Sequence, residues 1–381
     1  MNSSLSVLVT PRDGLHYQDL LYRDIEASGV RVRYAKGPTP SQTLNILLAP
    51  AVLAWWRARG FGILHIHWVF QFSLPWARRK RWARQLMEWW FGLYLRTAQL
   101  LGYRIVWTAH DLLPHEQVFE DDRRARDLLI SKASVVMALS EATAIELRAL
   151  GARHVRVIPM GSYADPYPIT LTTKEARTSF GFGDDDVVIA LIGRLERYKG
   201  ADLLLLAVAQ LPISSTIKLL LAGLCSDEVY RDELNRLARK AEGRVTTKFQ
   251  WVPDDDLARY FQATDVAVFP FREITNSASV LLAQSFGRPV VIPDLPALCD
   301  IPSGGAMRFK FGEEPGVESL VAALQQAEQL TESEYREMSS AALAWATKSD
   351  WATVARETIE VYREALLGPK SGDLKAAAGS P

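Results

Sequence analysis

The sequence predicts an α/β protein made of two doubly wound, Rossmann-like domains. Short apolar runs alternate with amphipathic stretches along most of the 381 residues, which is typical of parallel sheets with helices on both faces. The alternation occurs in two consecutive series, and each series has the size of one domain. A stretch rich in Pro, Gly and other turn formers, at 160–185, separates the two series.

The first series has five apolar runs that are predicted as strands, with stretches of helical spacing between them. The strands are predicted at 5–9, 62–68, 104–110, 134–140 and 155–161, and the helices at 17–28, 74–101 and 141–150. We place the first domain at residues 1–165.

The second series repeats this pattern and defines a second domain at residues 166–350. Strands are predicted at 187–193, 218–223, 245–252, 266–271 and 289–293, and helices at 200–211, 227–241, 254–263 and 277–286. The stretch 333–366 is helical, and its end, 351–367, is interpreted as a C-terminal helix that crosses back to the first domain. Residues 368–381 are poor in large apolar side chains and are expected to be disordered.

The composition argues against several classes of protein. The formal net charge is zero, and the two cysteines, Cys225 and Cys299, fit core thiols better than a disulfide framework. No apolar run reaches the ~18–20 residues of a membrane span. The first residues lack the basic region and apolar core of a signal peptide. We therefore expect a cytoplasmic protein.

Arg and Trp are concentrated in one part of the first domain. Residues 51–104 contain nine Lys or Arg and one acidic residue, and eight of the 11 Trp lie between Trp55 and Trp107. The predicted helix at 75–96, PWARRKRWARQLMEWWFGLYLR, could contact an anionic inner membrane surface. The alternative is a domain helix with a solvated basic face and a buried aromatic face. Nucleic acid is a further alternative, but the zero net charge and the lack of a binding motif argue against it.

Two stretches of the second domain have the character of a phosphate site. In LIGRLERYKG a strand ends at Gly193, and Arg194 and Lys199 follow before a helix begins, an arrangement that suits a diphosphate. The alternative is a solvated basic loop. In FREITNSASVLLAQSFGRPVV a small polar segment opens a helix, so its backbone N–H groups can approach phosphate oxygens closely. The alternative there is an ordinary N-cap at Asn276 or Ser277. The segment contains Thr275, Asn276, Ser277, Ala278 and Ser279.

Four of the six histidines, at 65, 67, 110 and 115, follow or end two predicted strands of the first domain. Clustered histidines at strand ends favour a site-lining role. A zinc site is the alternative interpretation, but the spacings between these histidines match no usual set of zinc ligands. No metal is therefore predicted.

The motifs of the second domain resemble those of family 4 glycosyltransferases. GRLERYKG is similar to the family's G-R-L-x-x-x-K-G, FQWVPDDDLARYFQATDVAVFPF to its G-x-V-P segment, and SFGRPVV to its A-x-G-x-P-V-V. The resemblance implies the GT-B fold, with two domains facing a central cleft, and a nucleotide-sugar co-substrate with no cofactor or metal. It also implies that Arg194 and Lys199 bind the donor diphosphate and that Trp251 and Val252 flank the nucleobase.

The sequence departs from the usual E-x7-E pattern of that family. Alignment on Gly287-x-Pro289 places Ile274 and Leu282 at the two glutamate positions. Glu273 is one residue away from the first position and is retained as a donor-binding candidate. The loss of both carboxylates favours an inverting enzyme.

The first domain resembles the xanthan-type β-mannosyltransferases of glycosyltransferase family 94. LHIHW…HDLLPHE…GSY is similar to their H-L-H-W…H-N-x-x-P-H-E…G-x-Y, and GLHYQDLLYRDIEASGV to their N-P-Y segment. The sequence departs from that pattern at Asp111 and at Leu15-His16. This resemblance implies mannose transfer from GDP-mannose to a lipid-linked oligosaccharide in exopolysaccharide assembly. It places the acceptor near His16, Tyr17, His67 and Trp68, and His110 near the donor.

An inverting transferase needs a general base in the first domain. Glu116 is the first candidate, since it lies in the shared motif, and Asp111 and His115 are the others. Two alternatives remain open, a retaining family 4 transferase that uses a UDP-sugar and a catalytically inactive nucleotide-sugar-binding protein.

Overall fold

The computed structural model describes residues 5–12, 16–69, 72, 74, 77–114, 116–164, 167, 170–241, 243–311 and 317–368. The chain divides into two compact units, which are treated separately. The first unit combines Met1–Met160 with Asp350–Pro381, and the second unit is Gly161–Ser349.

The first unit is built on a parallel sheet of six strands in the order β2-β1-β3-β4-β5-β6. The strands are β1 (Ser6–Thr10), β2 (Arg31–Tyr34), β3 (Ile63–Ile66), β4 (Arg104–Ala109), β5 (Val135–Ala138) and β6 (Val155–Val157). The helices are α1 (His16–Ala27), α2 (Gln42–Arg57), α3 (Arg81–Leu100), α4 (Asp122–Lys132) and α5 (Glu141–Ala149). The central strands are buried on both sides, as their apolar sequences require.

The second unit repeats this architecture, with six parallel strands in the order β12-β11-β10-β7-β8-β9. The strands are β7 (Val187–Ile192), β8 (Ile217–Ala222), β9 (Val245–Lys248), β10 (Val266–Val268), β11 (Val290–Pro293) and β12 (Ala306–Phe309). The helices are α6 (Thr173–Phe180), α7 (Ala201–Ala209), α8 (Glu228–Lys240), α9 (Asp254–Ala263), α10 (Ala278–Ser285), α11 (Glu318–Glu328) and α12 (Glu332–Ala346).

The final helix, α13 (Trp351–Leu367), packs on the first unit against α1 and against β3, β4 and β5. Asp350 caps its N-terminus by accepting the Thr353 N–H at 2.6 Å. Its apolar side is buried, with Val361 and Tyr362 both fully shielded from solvent. No helix among the described residues combines the length and apolar character that crossing a membrane requires.

The structure corrects several predicted elements. The stretch 160–185 contains a helix, α6, which begins with a capping box between Thr172 and Glu175. The predicted helix at 74–101 is α3 preceded by a short 3-10 turn at Ala77–Arg79, and the predicted helix at 333–366 is two helices, α12 and α13. Cys299 is exposed, so only Cys225 is a core thiol. Residues 369–381, predicted as a disordered tail, lie outside the described residues.

Candidate functional site

In the first unit, the polar residues that follow β3 and β4 come together at the carboxyl edge of the sheet. β3 and β4 are neighbours, with Ile66 paired to Trp107. His67 and His110 follow these strands, and His67 Nδ1 lies 3.0 Å from His110 Nε2. The strand order thus brings two of the predicted site histidines into direct contact.

Behind His67, a chain of buried hydrogen bonds extends to β4 and to α13. His65 Nε2 lies 2.8 Å from Thr108 Oγ1, and His65 Nδ1 lies 2.7 Å from the Tyr362 hydroxyl. The Tyr22 hydroxyl lies 2.8 Å from His65 Nδ1 and 2.6 Å from His67 Nε2. All four ring nitrogens of His65 and His67 therefore have a partner, which fixes the orientation of both rings.

Burial keeps these imidazoles neutral. Loss of solvation lowers the pKa of His65 and of His110 to about 3, and it lowers the pKa of His67 well below its ordinary value. A neutral ring offers one donor and one acceptor, which suits rings that are hydrogen-bonded on both sides. His110 is consequently presented as a neutral, oriented imidazole.

Aromatic rings surround the side of His110 that is not occupied by His67. The Trp68 ring stacks on His110 with centroids 4.1 Å apart and planes 12° apart. The Tyr17 ring makes T-shaped contacts with the His110 ring and with the Trp351 ring, at centroid distances of 4.8 Å and 5.3 Å. The structure thus assembles Tyr17, Trp68 and His110 in one cluster. The acceptor role of Tyr17 and Trp68 and the donor role of His110 stay predictions. His67 contacts His110 but is itself shielded from solvent, since it is 1% exposed.

The candidate general bases differ in their surroundings. The Glu116 side chain is 82% exposed, and its Oε2 lies 3.5 Å from Arg78 Nη1. Asp111 directly follows His110 and is half-buried. His115 lies outside the described residues. His16 is the first residue of α1 and is half-buried. Because Asp111 follows His110 directly in the sequence, it is the candidate carboxylate that lies beside the aromatic cluster.

In the second unit, three predicted donor-binding residues converge at the end of β7. Gly193 has φ +136, and a Cβ placed on it would lie 3.4 Å from Ser279 Oγ and 3.6 Å from Lys199 Nζ. The loop after β7 and the start of α10 therefore meet around a residue that must be glycine. An ammonium group, a hydroxyl and a bare backbone therefore lie close together at Gly193.

Lys199 closes a 3-10 turn at Arg197–Lys199, and Gly200 follows it with φ 72. Burial lowers the pKa of Lys199 to about 8; Glu196 opposes this shift, and Arg194 adds to it. Arg194 itself is exposed and lies 3.7 Å from Glu196. The loop therefore holds one desolvated cation, Lys199, and one exposed cation, Arg194.

The N-terminus of α10 lies beside Gly193, since Ser279 is in its first turn. Ser277 is the N-cap, and its Oγ accepts the Val280 N–H at 3.2 Å. The cap predicted as the alternative thus exists, and it does not compete with phosphate binding, because the remaining first-turn amides still form the positive end of the helix. Thr275, Asn276 and Ser279 are half-buried, and Glu273 and Ala278 are exposed.

An ion pair between the buried Asp202 and the partly exposed Arg272 holds the loop before α10 and was not found from the sequence. Asp202 Oδ2 accepts from Arg272 Nη2 at 2.6 Å, and the Tyr230 hydroxyl donates to Asp202 Oδ1 at 2.7 Å. The Arg272 N–H donates to the Tyr198 carbonyl at 2.8 Å. These bonds connect the loops after β7 and β10. Each residue belongs to a different element, so no local sequence signal links them.

The other predicted donor residues lie in the loop after β9. Trp251 is 51% exposed, while Val252 is 7% exposed. An indole in this position has a free face that could stack on a base, whereas Val252 contributes chiefly to packing. Within the described residues, no group of three or more His, Cys, Asp or Glu side chains is placed to hold a metal ion.

Comparisons with known proteins identify both units. The family described as glycosyl transferases group 1 matches residues 172–345, and Glycosyltransferase Family 4 matches residues 5–162. The chain consists of GT-B glycosyltransferase domains of these two types. The family 4 domain thus lies in the first unit and the group 1 domain in the second.

Individual relatives are distant. A D-inositol 3-phosphate glycosyltransferase of Segniliparus rotundus is 26% identical over 54% of this chain, and the match spans 46% of that protein. A GDP-mannose:glycolipid 4-beta-D-mannosyltransferase of Xanthomonas campestris pv. campestris is 24% identical over 61% of each chain. The structure of sucrose-phosphate synthase from Thermosynechococcus elongatus superimposes with a TM-score of 0.74 at 17% identity, covering 96% of this chain and 99% of that one.

Proposed function

We propose that the protein is a glycosyltransferase that uses a nucleoside-diphosphate sugar as donor. The observation that carries this proposal is the convergence of Gly193, Lys199 and Ser279 in the group 1 domain. A diphosphate would receive the Lys199 ammonium, the Arg194 guanidinium and the amides of the α10 N-terminus. These groups offset the charge that develops on the leaving nucleotide, so the chemistry does not require a metal.

The family 4 domain would bind the acceptor and supply the base. His110 would hold the transferred sugar, and the Tyr17 and Trp68 rings offer apolar faces on which sugar rings can pack. For the base we now favour Asp111 over Glu116, because Asp111 adjoins His110 while Glu116 is highly exposed beside Arg78. Proton removal by one carboxylate on the acceptor face is the requirement of an inverting transfer.

For the donor and acceptor we propose GDP-mannose and a lipid-linked oligosaccharide in exopolysaccharide assembly. The Xanthomonas mannosyltransferase supports this choice, because it is similar to this chain over 61% of its length. The Segniliparus relative supports a second candidate, a transferase whose acceptor is a small sugar-like phosphate.

Thermal-shift measurements with GDP-, UDP- and dTDP-sugars test the proposal. A bound donor at ~100 times its Kd stabilises the native state by about 2.7 kcal/mol, which corresponds to a Tm increase of roughly 5–10 °C. A shift with UDP-sugars and none with GDP-mannose would overturn the mannose proposal. No shift with any donor would leave no support for a transferase.

Product analysis then separates the mechanisms. NMR of the product should show a β-linked sugar if the transfer from an α-linked donor inverts, and an α-linked product would establish the retaining alternative. Asp111→Asn should lower kcat by at least ~100-fold with little change in donor affinity. Glu116→Gln is the matched carboxylate control. A wild-type protein that binds donors but never transfers or hydrolyses them is the inactive alternative.

A further inference from the structure

Helix α3 exposes large apolar side chains along one face. Trp82, Leu86 and Trp89 are 57%, 50% and 61% exposed, and Leu100 at the end of the helix is 88% exposed. Their spacing puts all four on the same side of the helix, with Trp82, Leu86 and Trp89 on successive turns and Leu100 three turns further on. The opposite side, which includes Phe91, is buried in the core of the first unit. The predicted alternative of a wholly buried aromatic face is therefore wrong for Trp82 and Trp89.

The neighbouring helix α2 has the same property. Leu44, Leu47 and Trp55 are 45%, 53% and 50% exposed. α2 packs beside α3, and Trp90 Nε1 donates to the Ile46 carbonyl at 2.8 Å. We call the seven exposed residues the apolar face. It consists of Leu44, Leu47 and Trp55 of α2 and Trp82, Leu86, Trp89 and Leu100 of α3.

Positive charge accompanies the apolar face. Arg79 and Lys80 directly precede α3, and Arg96 lies between Trp89 and Leu100 on the same side of the helix. The Arg59 guanidinium lies 3.5 Å from the centre of the Trp55 ring. The basic groups thus lie at the ends and edges of the apolar face, where they can reach an anionic surface while the rings insert below it.

Acidic residues are scarce on α3 itself, although Glu120 from outside the helix pairs with Arg81 and Arg84. Glu88 is the one acidic residue between 51 and 104. It accepts the Asp121 N–H at 3.0 Å, and its side chain is 15% exposed. Basic groups together with exposed Trp and Leu side chains are the combination that an anionic bilayer surface binds.

We propose that α2 and α3 dock the apolar face onto the surface of an anionic lipid bilayer. Both helices would lie in the plane of the interface, with Trp and Leu side chains in the headgroup region and Arg and Lys among the lipid phosphates. This inference does not depend on the proposed transferase activity, because it concerns only the outer surface of the first unit.

Vesicle flotation with the full-length protein tests it. The protein should float with vesicles of phosphatidylcholine mixed with phosphatidylglycerol and remain free with phosphatidylcholine alone. High salt should weaken binding to the mixed vesicles, because it screens the contribution of the basic residues.

Matched variants locate the surface. The triple variant Trp82→Gln, Leu86→Gln, Trp89→Gln should weaken binding at least ~10-fold. The control triple variant Ile145→Gln, Ile213→Gln, Val229→Gln removes comparable exposed apolar side chains elsewhere and should bind as the wild type does.

A second pair of variants tests the charge. Arg79→Gln with Lys80→Gln should weaken binding by ~5-fold for each charge removed. Arg239→Gln with Lys240→Gln, at the end of α8, is the charge-matched control. Circular dichroism and Tm measurements on each variant establish that it is folded.

Three outcomes would overturn the proposal. One is no binding of the wild type to mixed vesicles. Another is equal loss of binding in a face variant and its control. The third is self-association of the wild type, measured by light scattering without lipid, that the Trp82, Leu86, Trp89 triple variant abolishes. This last result would assign the apolar face to a protein interface instead.

Discussion

At the scale of single residues, the proposed binding of a diphosphate depends on the protonation of Lys199. Its ammonium lies next to Gly193 and Ser279, and burial lowers its pKa to about 8. When no anion is bound, burial therefore disfavours the charged form of Lys199. A diphosphate, however, binds the charged form. A bound diphosphate would restore the proton, so donor binding and protonation of Lys199 are linked.

The affinity for a nucleoside diphosphate should accordingly fall as the pH rises above about 8. Below that pH Lys199 is protonated before binding, and above it each further pH unit should cost up to ~10-fold in Kd until the pKa of the complex is reached. Calorimetric titration at about pH 7 and pH 9 measures this. An unchanged Kd would show that Lys199 does not contact the diphosphate.

Two variants complete that test. Lys199→Arg keeps its charge throughout this range and should remove the pH dependence. Lys199→Ala should weaken binding roughly 10- to 100-fold at pH 7, the usual loss for a charged hydrogen-bond partner. Lys240→Ala, on the exposed end of α8, is the control and should bind as the wild type does.

At the scale of elements, the buried hydrogen bonds around His65 connect α1, β3, β4 and α13. The low pKa of His65 and His110 means that the folded protein cannot take up protons that the unfolded chain accepts below about pH 6.5. The associated stability is present above that pH and is lost as the pH falls toward 3. Because His67 is shifted in the same direction, three histidines contribute.

The free energy of unfolding should therefore drop by about 1 kcal/mol per buried histidine between pH 7 and about pH 5.5. Urea unfolding at the two pH values measures the difference. His65→Asn should be less stable at pH 7 but lose less on acidification, since one of the three histidines is gone. Tyr362→Phe is the control: it should be destabilised by ~1–3 kcal/mol at both pH values. A wild type with equal stability at both pH values would contradict neutral, buried rings.

The elements that could be predicted from sequence are those with a local signal. Of the 12 strands in the described part of the chain, ten were anticipated because they are apolar runs bounded by turn formers. β2 and β12 were missed because they are short edge strands in which charged residues interrupt the apolar pattern. α2 was missed because it contains Pro50 and is apolar on most sides. Its exposed apolar side could be recognised only in the folded structure, in which Leu44, Leu47 and Trp55 are about half-exposed.

The candidate site was predictable to a similar degree. Gly193, Lys199 and Ser279 were found because each lies in a motif at a strand or helix end. The supporting residues Tyr22, Thr108 and Tyr362 could not be found in this way. Their role depends on contacts between residues that are far apart in the sequence. His65 and Tyr362, for example, are 297 positions apart.

At the scale of the whole molecule, the first unit is formed by two separate segments of the chain, one before and one after the second unit. α13 packs on α1 and on the central strands β3, β4 and β5 after the second unit has been traversed. It contributes the Tyr362 hydroxyl to His65 and the Trp351 ring to Tyr17. The first unit, including its aromatic cluster, therefore depends on residues that follow the second unit in the chain.

A chain that ends after Ser349 should fail to form a native first unit. Val354, Ile359 and Val361 of α13 are each at most 6% exposed. At ~1.5–3 kcal/mol for each buried side chain, their loss alone removes roughly 5–9 kcal/mol, which is comparable to the whole stability of a domain. A chain that ends after Gly368 retains α13 and is the matched control, expected within ~0.5 kcal/mol of the full chain. Hydrogen exchange of the β3, β4 and β5 amides reports on the first unit directly. Protection of these amides in the shorter chain equal to that in the control would show that α13 is dispensable for the fold.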